Sequence, residues 1–155
     1  MTQTEIQGLL QKLGMHLDEL KGIFYHTSED RLSHRVNENV WTAKDLLGHL
    51  LDTELVFSYR LKRIVAEDTP KLTAWNQNIW VDMQEYNQWD SQLLVDTLIT
   101  LRRSQVFWLG RLGNDVWDKQ GEHSERGLVT VQSVVELLYS HFLHHFGQIK
   151  ERAGL

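Results

Sequence analysis

The chain has 155 residues, a formal net charge of −5 and one proline, with 41% hydrophobic and 24% charged residues. It has no cysteine, which excludes disulfides, thiolate zinc sites and a cysteine nucleophile. This length fits one domain, residues 1–155, able to bury roughly 70% of its unfolded surface, and the acidic balance argues against nucleic acid or an anionic membrane as a partner.

The opening Met1-Thr2-Gln3-Thr4-Glu5-Ile6 lacks a basic stretch followed by an apolar core. No run of about 18 apolar residues occurs, so the expectation is a cytoplasmic protein without a secretory signal or membrane span. A single proline favours long helices, because proline breaks helix interiors. Ile6, Leu9, Leu10, Leu13, Leu17, Leu20 and Phe24 recur at helical spacing and predict a first helix from about Thr4 to Tyr25. His16 and His26 fall near its outer face or end and are read as surface residues.

Residues 27–39 are polar and aperiodic, a connector. Thr42 with Asp45 three residues on is a variant of the capping box and predicts a second helix from about Thr42 to Glu67. His49 lies inside it, on a stripe with Thr53, Val56 and Arg60 that stays within roughly 40° of arc. A histidine on such a face costs free energy unless paired or ligated. Asp52, at i+3, is the candidate acceptor for its ring. Arg60 is read as half of an internal ion pair, with anion binding as the other reading.

Asp68-Thr69-Pro70 ends this helix, and residues 69–89 form a long connector rich in tryptophan and amides, read as a cap over one end of the fold. Asp90 or Ser91 caps a third helix reaching about Gly110, where Gly110, Gly113 and Asn114 stop it. Residues 114–129 read as a polar loop, with His123 solvated. The remaining basic groups, Arg102 and Arg103 among them, read as solvated helix faces.

Thr130 caps the fourth helix and Gly154 follows its end. Val134, Leu137, Leu138, His141, His145 and Gln148 share a stripe, while His144 is rotated off it. Four apolar-striped segments of roughly 20 residues point to an all-α four-helix bundle with long connectors, and the order of neighbours stays open. His49 with the i, i+4 pair His141 and His145 can converge as three imidazoles around one divalent metal, such as zinc, nickel or iron. From spacing alone two readings stand, a metal site or satisfied core histidines. Glu-x-x-His, His-Glu-x-x-His, the Gly-x-Ser-x-Gly elbow and the P-loop are all missing, which argues against di-iron, zincin, α/β-hydrolase and nucleotide chemistry.

Trp41-Thr-Ala-Lys-Asp-Leu-Leu-Gly-His49-Leu-Leu-Asp52 together with His141-Phe-Leu-His-His145-Phe-Gly-Gln148-Ile149 resembles the DinB/YfiT-like superfamily of metal-binding four-helix bundles. The resemblance runs from about Trp41 to the end. It implies His49, His141 and His145 as ligands and a homodimer. It also implies either a metal-dependent enzyme of thiol-dependent S-transferase or hydrolase type, or a non-catalytic metal-binding bundle. In the transferase case the thiol is a low-molecular-weight cosubstrate, because the chain has none of its own.

Overall fold

The computed structural model describes residues 1–155. Its first helical segment is two helices, α1 (Gln3–Gly14) and α2 (Leu17–His26), not the single helix that the periodicity predicts. The break falls at His16, whose backbone is left-handed with φ 65°. Leu13 and Leu17 are buried on either side, so the apolar stripe runs through the break and periodicity gives no sign of it. A short helix α3 (Glu29–Leu32) interrupts the first connector.

The second long helix, α4 (Ala43–Ala66), starts where its capping box predicts. Thr42 Oγ1 accepts from the Asp45 amide at 3.0 Å, and Asp45 Oδ2 accepts from the Thr42 amide at 3.1 Å. The connector after it is ordered as a short strand β1 (Lys71–Leu72), helix α5 (Gln77–Gln84) and a 3-10 turn at Tyr86–Gln88. Helix α6 (Ser91–Leu109) is capped by Asp90. The region read as a polar loop holds a 3-10 turn (Asn114–Asp118) and a hairpin, β2 (Gln120–His123) and β3 (Gly127–Thr130). Helix α7 (Val131–Ala153) is capped by Thr130 and ends at Gly154, which takes the left-handed φ of 82° typical of a helix C-terminus.

The four-helix bundle expected from the sequence is the fold, with α1 and α2 together serving as its first member. Helix α4 packs against α6 and α7, and the α1–α2 pair packs against the same two. Consecutive members therefore do not simply follow one another round the bundle: the first pair and α4 lie diagonally opposite. A minor sheet, absent from the sequence reading, joins the two later connectors. Strand β1 pairs parallel to β2, and β2 pairs antiparallel to β3.

The core divides into two apolar clusters. One gathers Leu20, Phe24, Leu47, Leu98, Phe142 and Phe146, the other Leu13, Leu61, Ile64, Trp117 and Val135. The boundary between them carries a polar feature on each member of the bundle: the α1–α2 break, Glu54 on α4, Arg102 on α6 and His141 on α7. Arg102 and Glu54 are 1% and 0% exposed. The Arg102 Nε donates to both Glu54 oxygens at 3.0 and 2.9 Å, and its Nη1 donates to the Leu13 carbonyl at 3.1 Å. That carbonyl belongs to the end of α1, where acceptors lack intrahelical partners and a cation is favoured. Arg102 is thus a core residue that holds the break, not part of a solvated face.

Gly48 is required by close approach. A Cβ there would lie 2.0 Å from Cδ2 of Tyr86, a buried ring whose hydroxyl donates to Asp52 at 2.5 Å. Gly48→Ala gains up to about 1 kcal/mol of helix propensity but overpacks the site by about 1–3 kcal/mol. The expected outcome is a lower urea midpoint, and a raised one would refute the contact.

Candidate metal centre

Helices α4 and α7 bring together three histidines that are distant in sequence. His49 is fully buried on α4, and its carbonyl accepts from the Thr53 hydroxyl at 2.8 Å. His141 and His145 are half-buried, one turn apart on α7. The deepest positions of α7 are taken instead by Leu138, Phe142, Phe146 and Ile149. The paired histidines sit on the shoulder of that face, turned toward α4. His144 is exposed and outside the cluster, as its rotation predicts.

The three Nε2 atoms converge. His49 and His141 approach at 2.9 Å, and His141 and His145 at 3.1 Å. His145 Nδ1–H donates to Gln148 Oε1 at 2.8 Å, so its Nε2 presents a bare lone pair to the cluster. Nδ1 of His49 and of His141 is buried without a partner. Neither tautomer of these two rings satisfies the cluster from protein groups alone: one leaves bare Nδ1 acceptors, the other faces three lone pairs together. A cation among the nitrogens relieves the lone-pair repulsion of the second case, leaving the Nδ1–H groups of His49 and His141 still without acceptors. Three imidazoles on one tetrahedral zinc hold their nitrogens roughly 3.3–3.4 Å apart, from bonds of about 2.0–2.1 Å. The cluster needs to open by only a few tenths of an ångström, and this donor set fits a divalent metal.

Burial and the neighbouring rings keep the cluster neutral. Burial, then His141 and His145, push His49 down to about 3. Burial, then His145, His144 and Arg102, push His141 down to about 4, and burial lowers His145 against the opposing bond from Gln148. Neutral rings are the form that ligates. With folded values below the unfolded one near 6.5, the unfolded chain binds more protons, so stability is fully present above about pH 6.5 and declines on acidification. In metal-free protein the urea midpoint is expected to fall between pH 7.5 and 5, where carboxylates contribute little. A flat profile would contradict this burial.

The surroundings correct three expectations. Asp52 does not hold the His49 ring: it accepts from Tyr86, and its other oxygen is buried without a partner. Arg60 is buried but forms no ion pair, its Nη2 donating to the Thr73 carbonyl at 2.7 Å. His123 is not solvated but sits on β2, only 9% exposed. The tryptophan-rich connector does more than cap. Trp75 stacks on His49 with centroids 5.9 Å apart at 19°, and Trp41 covers the same ring from 5.0 Å. Beside His141 opens a cavity of about 120 Å³ walled by Thr53, Arg60, Trp75, His123, Glu125 and Arg126. Sequence reasoning missed Trp75, His123 and Arg126. The one local signal for His123 was its alternation with Gly121 ahead of a glycine turn, too short to weigh.

A family model described as the DinB superfamily matches residues 7–149. A protein of Oceanobacillus iheyensis named "Putative metal-dependent hydrolase" is 27% identical over 154 residues, 97% of this chain and 86% of that protein. A protein of the same name from Halalkalibacterium halodurans is 21% identical over 148 residues, 96% of this chain and 80% of the relative. Among solved structures, YfiT from Bacillus subtilis superposes with a TM-score of 0.85 at 18% identity, covering 99% of this chain and 90% of its own, and is described as having "an unusual four-helix bundle topology". No helix here is long and apolar enough to cross a membrane.

Proposed function

The chain belongs to the DinB superfamily, and from that premise we propose that it is a metal-dependent hydrolase in which His49, His141 and His145 hold one divalent ion. The observation that carries this reading is the meeting of three Nε2 atoms at the side of a cavity. Zinc, nickel and ferrous iron all accept three imidazoles and leave positions open. A bound ion supplies Lewis acidity that polarises a substrate oxygen or activates water.

The chain's own residues do the rest. Gln148 fixes the tautomer and rotation of His145. Trp41 and Trp75 cover the His49 ring and keep bulk water from it. The cavity beside His141 offers room for a small substrate. A thiol-dependent transfer uses the same cavity, with the thiol brought by a cosubstrate because the chain has no cysteine.

The test is elemental analysis of protein purified without a histidine tag, followed by ester, amide and lactone substrates with and without low-molecular-weight thiols. The expected result is near-stoichiometric metal and hydrolysis that stops with chelator and returns with metal. Turnover only with added thiol replaces hydrolysis with transfer. Metal without any turnover favours a non-catalytic bundle. Absence of metal uptake removes the reading.

A further inference from the structure

The cavity beside His141 is walled by cations and hydrogen-bond donors, with Glu125 its one carboxylate. Arg60 is 7% exposed. A guanidinium at that depth ordinarily has a carboxylate, because an unpaired buried charge is costly. The other deeply buried arginine, Arg102, has Glu54, and the more exposed Arg35 and Arg63 have Asp45 and Glu67. Arg60 has only the Thr73 carbonyl and the face of Phe57, 5.6 Å from its centroid. Its remaining N–H groups are not among the sealed, partnerless polar atoms, and Arg60 lines the cavity. They are donors open to it.

Two neighbours add to this. Arg126, on the hairpin turn, lines the same cavity, close enough that its charge and that of Arg60 repel. His123 Nδ1 accepts from the amides of Glu125 and Arg126 at 3.1 and 3.3 Å. Its lone pair is thereby committed to the turn, and the neutral ring carries its proton on Nε2 as a further donor. Glu125 is the single carboxylate on the wall; like Arg126 it is exposed, and although its charge attracts Arg60 it forms no ion pair with either arginine, so the buried guanidinium keeps its free donors.

We propose that this cavity is an oxyanion pocket in which Arg60, assisted by Arg126 and the His123 Nε2–H, binds the carboxylate or phosphate of a small anionic substrate whose other end lies toward His141. The proposal rests on the reading of the three histidines as a metal site and names the substrate class for it. Arginine suits the role because its planar fork takes two oxyanion oxygens at once. The buried position strengthens the attraction that water would otherwise screen.

The experiment is calorimetric titration of zinc-loaded protein with succinate, with inorganic phosphate and with neutral succinamide, repeated on zinc-free protein. Succinate or phosphate is expected to bind saturably, and the preferred one identifies the head group. Arg60→Met is expected to weaken binding at least about tenfold and Arg126→Met about threefold, with zinc stoichiometry unchanged in both. Succinamide binding as tightly as succinate overturns the proposal. So does anion affinity unchanged in Arg60→Met. If Arg60→Met does not fold, Arg126→Met decides, since full affinity there at low salt is equally fatal. Anion binding without zinc uptake supports the pocket and removes the metal reading, while zinc uptake without anion binding does the reverse.

Discussion

Glu54→Ala is expected to cost about 3–5 kcal/mol, enough to unfold much of a domain of ordinary stability. The variant leaves the Arg102 guanidinium charged and sealed between the two apolar clusters, with the Leu13 carbonyl as its one remaining hydrogen-bond acceptor. The penalty is that of a stranded charge, not the net worth of the pair. Replacing both partners, Glu54→Leu with Arg102→Met, is therefore expected to recover most of the loss, since a buried ion pair is often no better than apolar residues of similar volume. Recovery stays incomplete because Leu13 then loses its donor at the end of α1. Equilibrium urea unfolding of the two single variants and the double variant measures this. A loss under about 1 kcal/mol in Glu54→Ala would mean that water reaches the guanidinium and that the core is not sealed.

The second large effect concerns the proposed ligands. Metal that binds only the folded chain raises its stability by about 4 kcal/mol when free metal is 1,000-fold above Kd. Wild-type protein is expected to lose that increment in chelator. His49→Ala and His145→Ala are expected to lack it from the start, with metal content falling toward zero. Gln148→Ala keeps all three ligands but frees the His145 ring, so it should retain metal with affinity about 10–100-fold weaker. His144→Ala is the control, expected to bind as wild type does. Equal melting shifts in wild type and His145→Ala would place the metal elsewhere.

Much of this was legible from spacing. Capping residues marked the starts of α4, α6 and α7 to within a residue, because Thr42, Asp90 and Thr130 satisfy amides that exist only at a helix end. Helical arc and the cost of burying imidazole made His49, His141 and His145 candidates to converge, with satisfied core histidines as the other reading, and the family resemblance chose between them. What spacing did not carry was anything set by a partner on another element. Arg60 reads as half of an internal ion pair and Arg102 as solvated, yet Arg60 faces a cavity and Arg102 a carboxylate, because Glu54 lies on α4 and the connectors bring Arg60 no acid. The break at His16 is invisible because Leu13 and Leu17 keep helical register and its support comes from Arg102. The hairpin escaped notice because its strands, Gln120–His123 and Gly127–Thr130, are too short for alternation to register.

The diagonal arrangement of the bundle has a topological consequence. Because α4 adjoins α7 rather than its predecessor in sequence, His49 meets His141 across a sequence separation of 92. The chain between them includes α5, α6 and the whole sheet. An ion held by both helices is a reversible cross-link that closes a loop comprising more than half the molecule. Such a clip restricts the expanded chain most when the loop is long. Proteolytic nicking of the hairpin turn at Ser124–Arg126 would cut the backbone inside that loop and leave the two fragments tethered through the ion.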